Sequence, residues 1–312
     1  MQSTEDEILK RPLILDIKGN SLDDGPGIRS VIFFKGCPLS CVWCHNPESK
    51  SANAEISFDP KECIGCDTCA KACGRAALSR DNPLYIDRQR CSLCFDCVDV
   101  CPSGALSRVG REMSIDEIVS KVSMDKPFFD TSGGGVTLSG GEPTLFMGFV
   151  SLLLESLKAN GISTLIETCG QFDFEKFMDA LYPNLEAIYY DIKLFDGDAH
   201  ERYCGASNAR ILENLARLCP VARAGGKILL PRIPLIPGIT DTVENISGIA
   251  GFLRSLGVNK AALMAYNPLW HEKCAKIGAR DPLGTDRLMS SWPAQERMVR
   301  CKKILSREGI ES

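Results

Sequence analysis

The sequence predicts an α/β protein: a parallel sheet of six strands, open or rolled into a partial (β/α)6 barrel, interrupted by a small cysteine-rich module. Three observations predict it. From residue 135 onward, short apolar runs alternate with segments of helical periodicity, the pattern of βαβ units. With the run at 31–34 there are six such strands, too few for a full eight-stranded barrel. Between residues 57 and 108 the alternation stops, and eight of the sixteen cysteines fall there. At 312 residues and roughly 150 per domain, about two domains are expected. They are drawn as 1–56 with 109–312, and 57–108 as an insert.

Composition narrows the function classes. Apolar residues at 44% and charged residues at 24% are ordinary for a globular chain. A net charge of −4 gives no basic footprint for nucleic acid. No run reaches the ~18 uninterrupted apolar residues expected of a membrane helix. The first twelve residues, MQSTEDEILKRP, are polar and acidic, so no secretory signal and a cytoplasmic location are expected.

Taken in order, LILDI at 13–17 reads as a strand, the loop DDGPGIRS follows, and VIFF at 31–34 reads as a buried strand bounded by glycine-rich turns. GVTLSG at 135–140 precedes a helix at 148–160, and STLIET at 163–168 precedes one at 174–181. AIYYDIKL at 187–194 precedes a helix at 209–218, and KILLPRIPLI at 227–236 precedes one at 243–256. KAALMAY at 260–266 leads to a last helix near 294–306. In an open sheet or a barrel of this kind, the ligand site lies at the carboxyl ends of the strands.

Cysteines clustered in a reducing compartment read as metal ligands or catalytic thiols. Cys63, Cys66, Cys69 and Cys73 form C-x2-C-x2-C-x3-C, and Cys91, Cys94, Cys97 and Cys101 repeat it. This is the bacterial ferredoxin spacing, in which the fourth cysteine of each run serves the other cluster. One 4Fe–4S cluster is expected on Cys63, Cys66, Cys69 and Cys101, the other on Cys91, Cys94, Cys97 and Cys73. Zinc, the alternative, favours ligand pairs separated by longer loops. A third group, Cys37, Cys41 and Cys44, supplies three thiolates where a closed cube needs four, leaving a coordination position for a substrate. SGGEP at 139–143 ends a strand, with Gly140 and Gly141 for close backbone approach and Glu142 as a carboxylate.

The three cysteines together with SGGEP resemble the radical S-adenosylmethionine (SAM) enzymes. DGPGIR at 24–29, FFKGCPLSCVWCHNPE at 33–48, SGGGVTLSGGEP at 132–143, ETCG at 167–170, DIK at 191–193 and PGI at 237–239 narrow the likeness to the activating enzymes of glycyl radical enzymes. The insert resembles the branch of that family that serves lyases, decarboxylases and dehydratases. The resemblance implies a partial (β/α)6 barrel, three 4Fe–4S clusters, SAM, and a flavodoxin or ferredoxin donor. It also implies the reaction of an anaerobic oxidoreductase. Reductive cleavage of SAM gives a 5′-deoxyadenosyl radical that takes a hydrogen atom from a backbone glycine of the partner enzyme.

Residue by residue, the resemblance implies that Cys37, Cys41 and Cys44 hold the SAM cluster and that Glu142 contacts the methionyl ammonium. It sets Trp43 near the adenine, and Glu167, Thr168 and Asp191 at a monovalent-cation site beside the SAM carboxylate. Glu167 stands there where the family usually has Asp. Lys193 and Arg232 match basic residues facing the SAM carboxylate and the peptide. Asp24, Gly25, Pro26, Gly27 and Arg29 match the loop that grips the partner's glycine peptide. Asn267 follows Tyr266 where many members carry a histidine, so either Asn267 supplies that contact or His271 reaches in. His45 reads as a polar loop residue and His200 as a solvated helix residue. Cys169, Cys204, Cys219, Cys274 and Cys301 show no ligand spacing and read as ordinary thiols.

Two rival functions share parts of this pattern. A radical SAM enzyme acting on a small molecule would need the three cysteines and SGGEP but not DGPGIR. A ferredoxin-like electron carrier would need only the insert and would leave most of the chain without purpose.

Overall fold

The computed structural model describes residues 11–312, so most of the polar opening segment lies outside the described residues. Strands β1 (Leu13–Ser21) and β2 (Arg29–Lys35) pair antiparallel. β3 (Glu55–Phe58) and β4 (Leu106–Val109) form a separate two-stranded sheet that closes the insert, with helices α1 (Thr68–Ala72) and α2 (Asp96–Asp99) between them. β5 (Arg111–Glu112) returns the chain to the main sheet beside β1. Then α3 (Ile115–Ser123) and α4 (Lys126–Ser132) lead into β6 (Gly135–Gly140). The βα alternation continues through α5 (Met147–Ala159), β7 (Ser163–Thr168), α6 (Phe174–Ala180) and β8 (Ala187–Asp191). Helices α7 (Gly197–Cys204) and α8 (Ala209–Ala224) precede β9 (Ile228–Leu235), and α9 (Val243–Ser255) precedes β10 (Ala262–Ala265). Helices α10 (Trp270–Ile277) and α11 (Gln295–Arg307) complete the chain.

The main sheet has eight strands in the order β10-β9-β8-β7-β6-β2-β1-β5. Its six parallel strands are the six expected from the apolar runs, lying side by side in chain order. β2, β6, β7 and β8 are mostly buried, whereas β10 at the sheet's edge is half-buried to exposed. On α5, Phe149, Val150, Leu153, Leu154 and Leu157 recur at three- and four-residue spacing and are all buried. Each such side chain contributes about 1.5–3 kcal/mol of burial free energy. Helix starts follow capping chemistry. Ser114 and Glu117 make a reciprocal capping box at α3, and Asp173, Asp196 and Thr242 cap α6, α7 and α9.

The insert has a small core of its own, with Ile56, Leu78, Tyr85, Ile86 and Leu106 around Cys69 and Cys97. Two ion pairs, Lys61–Glu272 and Lys276–Asp59, join it to α10. Among the described residues no helix is long and apolar enough to cross a membrane.

Some elements differ from the sequence reading. β1 runs four residues past the expected LILDI, with irregular register near Asp16 and after Lys18. α8 continues past residue 218 through Pro220 to Ala224. There the Tyr182 hydroxyl donates to Val221 O and Lys227 N to Ala222 O, so neighbours take up carbonyls of its last turn. Helices α1, α2, α3, α4 and α10 have no counterpart in the sequence reading, and α7 only the placing of His200 on a helix.

Candidate active site

The carboxyl ends of the parallel strands surround a cavity of about 260 Å3. Its lining brings together residues from seven separate stretches of sequence, Met264 and Ala265 of β10 among them. Cys37, Cys41, Trp43 and Cys44 come from the loop after β2; Gly140 and Gly141 from the end of β6; Glu167 and Thr168 from β7. Asp191 and Lys193 follow from β8, Arg232 from β9, and Asp24 from the loop between β1 and β2.

The cysteine loop is held by backbone bonds on two sides. Gly36 N donates to Ser49 O at 2.7 Å and Cys37 N to Lys50 O at 3.2 Å. Ser40 N donates to Cys204 O at 2.7 Å and Val42 N to Tyr203 O at 3.0 Å, so the end of α7 seats the loop. Trp43 is buried, with its ring centroid 6.2 Å from that of Tyr203. The Cys204 thiol, hydrogen-bonded to Cys41, holds the Cys41 thiol down at about 7 against the opposing effect of burial, with Lys193 and Lys50 assisting. Burial pushes Cys44 up to about 12. Three thiols on one loop facing one cavity suit an iron–sulfur cube with an open corner. Among the described residues no three His, Cys, Asp or Glu side chains gather around one point as a single metal ion requires; a cube takes its thiolates at separate corners.

Gly140 and Gly141 serve the protein's own packing as well as the cavity. Gly140 has φ +104°, and a Cβ there would lie 2.4 Å from Phe34 N. A Cβ on Gly141 would lie 2.1 Å from Gly36 O. The two glycines thus bring the SGGEP turn against the start of the cysteine loop, where Gly141 N donates to Phe34 O and Glu142 N to Gly36 O, both at 2.8 Å.

Beyond the cysteines lies a buried ionic group. Arg232 donates through Nε to Asp191 Oδ1 at 2.9 Å and through Nη1 to Glu167 Oε1. Ser139 Oγ donates to Glu167 Oε2 at 2.6 Å, and Lys193 Nζ lies 3.3 Å from Asp191 Oδ2. Burial pushes the Glu167 carboxyl up despite Arg232. Burial also opposes ionisation of Asp191, but Arg232 and Lys193 together hold its carboxyl below the usual carboxylate range. Asp191 in turn keeps Lys193 and Arg232 firmly charged despite their burial.

Several sequence expectations need correction. Glu142 does not line the cavity. Its side chain is wholly buried, with Oε1 accepting from Thr144 N, Thr144 Oγ1 and Thr168 Oγ1, and Oε2 from Cys169 N at 2.7 Å. Four donors occupy the carboxylate, which ties the SGGEP turn to the end of β7. Arg29 is likewise turned inward. Its guanidinium donates to Thr137 Oγ1, Val136 O and Ser163 O, and burial pulls its pKa down to about 10. Gly25, Pro26 and Gly27 border the cavity through Asp24 alone. Asn267 turns its Oδ1 to Leu269 N, and His271 pairs with Asp281 and Met289 O, so neither lines the cavity. His200 is buried, not solvated, with Nδ1 2.6 Å from Ala206 O.

Other residues at the site went unread. His45 lines the cavity, with its ring edge-on to Tyr266 and its Nε2 buried without a partner. Burial pulls it down to about 4, so it is neutral. Cys169 lines the cavity too; its bond to Cys37 and its burial raise its thiol well above the usual value. Cys204 sits against Cys41, whereas Cys219, Cys274 and Cys301 are core thiols. Ligand spacing along the chain could not reveal Cys169 or Cys204, because strand order and helix α7 bring them to the cluster loop.

Two smaller cavities lie in the insert. One is lined by Cys63, Cys66, Cys69 and Cys101, the other by Cys73, Cys91, Cys94 and Cys97. Each takes three cysteines from one run and the fourth from the other.

The chain matches the radical SAM superfamily over residues 31–247. It is 39% identical over 270 residues to the trans-4-hydroxy-L-proline dehydratase activating enzyme of Clostridioides difficile, covering 85% of this chain and 88% of that one. To the isethionate sulfite-lyase activating enzyme of Nitratidesulfovibrio vulgaris it is 38% identical, over 87% and 89%. To the benzylsuccinate synthase activating enzyme of Thauera aromatica it is 41% identical, over 78% and 75%. A solved domain of pyruvate-formate lyase-activating enzyme from Bacteroides vulgatus is 29% identical, covering 57% of this chain and 97% of that one, with a TM-score of 0.45. The chain belongs to the radical SAM superfamily, whose members use a 4Fe–4S cluster and SAM. Within it, the chain is a member of the activating enzymes of glycyl radical enzymes. These relatives favour that reading over a small-molecule enzyme or an electron carrier.

Proposed function

We propose that this chain installs a radical on a backbone glycine of a partner glycyl radical enzyme. The observation that carries the reading is that one cavity is lined both by Cys37, Cys41 and Cys44 and by Asp24 of the DGPGIR loop. When bound, the cluster and SAM supply the electron, the cleavage to methionine and the 5′-deoxyadenosyl radical that takes the glycine hydrogen atom. The chain's own residues do the positioning. The three thiolates hold the cluster and leave one corner for SAM. Lys193 contributes a buried positive charge for the SAM carboxylate, and Trp43, with Gly140 and Gly141, bounds the pocket for the nucleoside. Asp24 stands where the peptide would enter, steadied by Ser21 Oγ on its carboxylate and Thr137 Oγ1 on its carbonyl.

The insert holds two further 4Fe–4S clusters in this reading. Its support is the grouping of four cysteines around each small cavity, crosswise between the two runs. A flavodoxin or ferredoxin in the cytoplasm is the donor.

The test is anaerobic coexpression with a large enzyme encoded beside this chain that ends in a glycyl radical loop, read by EPR for a glycyl doublet. A doublet that appears with the wild type and vanishes with Cys37→Ala, Cys41→Ala and Cys44→Ala together is expected. SAM cleavage without any doublet on such a partner would favour a small-molecule substrate instead.

A further inference from the structure

We propose that Arg232 is the resident counter-cation of Glu167 and Asp191, so that this active site needs no diffusible Na+ or K+ between them. The inference rests on the SAM-site reading of the cavity and departs from the cation site that the family resemblance implies.

Geometry comes first. In the parallel pairing of β8 with β9, Asp191 and Arg232 are register partners, and in that of β7 with β8, Glu167 is the partner of Tyr189. The guanidinium lies 5.4 Å from the Tyr189 ring centroid and spans β8 to reach the carboxylate on β7. A planar fork of fixed donors suits two carboxylates held in this way. Asp191 Oδ1 accepts from Nε and lies 2.9 Å from Nη2, and Glu167 Oε1 accepts from Nη1. Glutamate at position 167 supplies the extra methylene with which a β7 carboxylate meets a guanidinium rooted two strands away.

Charge comes second. Arg232 and Lys193 against Glu167 and Asp191 sum to zero. Three of the four side chains are no more than 13% exposed, and Asp191 is 23% exposed. Each carboxylate oxygen of the group has a donor: Ser139 and Arg232 at Glu167, Arg232 and Lys193 at Asp191. An added monovalent cation would face two fixed positive charges in a medium that screens them weakly. It would also have to take oxygens already bonded. Asp191 and Glu167 therefore do not fit a cation site while Arg232 is in place. Arg232 acts here as a positioning residue, fixing the two carboxylates that border the SAM pocket.

The experiment has two arms on the anaerobically reconstituted holoprotein. Calorimetric SAM binding to the wild type in choline chloride should match that in NaCl or KCl at equal ionic strength within about twofold. Tightening of tenfold or more by either metal ion would overturn the proposal. The second arm reads melting temperature without SAM, so it stands even if the SAM reading fails. The wild type and Arg232→Lys should melt alike in choline, Na+ and K+. Arg232→Gln, which leaves a net negative site, should be stabilised selectively by Na+ or K+. A folded Arg232→Gln protein indifferent to the cation would refute the idea. Should that variant not fold, the wild-type melting temperatures in choline, Na+ and K+ decide alone, and a selective rise of several degrees with either metal ion would refute the proposal.

Discussion

Glu142 illustrates what a motif conceals at the scale of one residue. Read in sequence, its carboxylate suits an ammonium; in the fold it is the buried acceptor for two backbone amides and two hydroxyls. Glu142→Ala should therefore lower folding stability by roughly 2–4 kcal/mol, because those donors lose a charged partner. Denaturant titration of the variant checks this, and unchanged stability with weakened SAM binding would restore the ligand role. His200 carries a pH signature. Burial lowers its pKa below the unfolded value, so the unfolded state binds more protons once pH falls below about 6.5. Stability should fall between pH 7.5 and 5.5 by less in His200→Gln than in the wild type; equal losses would show that His200 is indifferent to protonation. The meeting of Cys37, Cys41 and Cys44 at one cavity was legible, because their spacing keeps them on one loop. The direction in which Glu142, Arg29 and Asn267 point was not, since it depends on donors far along the chain.

At the scale of elements, two glycine-rich motifs prove to be halves of one joint. A Cβ on Gly27 would sit 2.5 Å from Gly134 N, and one on Gly134 only 1.8 Å from Ile28 O. Ser132 Oγ accepts from Ile28 N at 2.8 Å. The SGGG stretch before β6 is thus the bed on which the DGPGIR loop lies, and Gly134→Ala should displace that loop. The expected result is SAM cleavage retained within a few-fold alongside a much lower glycyl radical yield on the partner, both measured anaerobically. Equal loss of both activities would mean that the loop also shapes the cofactor pocket. The parallel strands were legible because apolar runs between polar helices have one physical solution, burial in a covered sheet. The role of helix α7 was not: GDAHERYC is mostly polar and reads as solvated, yet it presents carbonyls to the cysteine loop.

For the whole molecule, eleven cysteines line three cavities, and the proposed three clusters make an iron count the test. The reconstituted protein should carry about 12 irons per chain, falling to about eight when Cys37, Cys41 and Cys44 are replaced. Iron content unchanged by that replacement would remove the basis for the SAM cluster. Replacing Cys94 and Cys97 together separates a relay from a structural role for the insert. A relay predicts near-normal SAM cleavage with a strong small-molecule reductant and little with flavodoxin. A role confined to folding predicts comparable losses with both and a lower melting temperature, as a core this small depends on its clusters. The crosswise grouping of the insert cysteines was readable from the two runs, because the ferredoxin spacing carries it. The pairing of the cysteine-rich segment with α10 was not, because it rests on charges scattered over 200 residues of chain. The clasp of β3 on β4 has one more consequence. The insert's entry and exit strands run side by side, Glu55 opposite Val109 and Phe58 opposite Leu106, so the block leaves and rejoins the main sheet at one doorway. A gene could gain or lose it in one stroke, through a single splice, without rethreading any strand of the catalytic sheet.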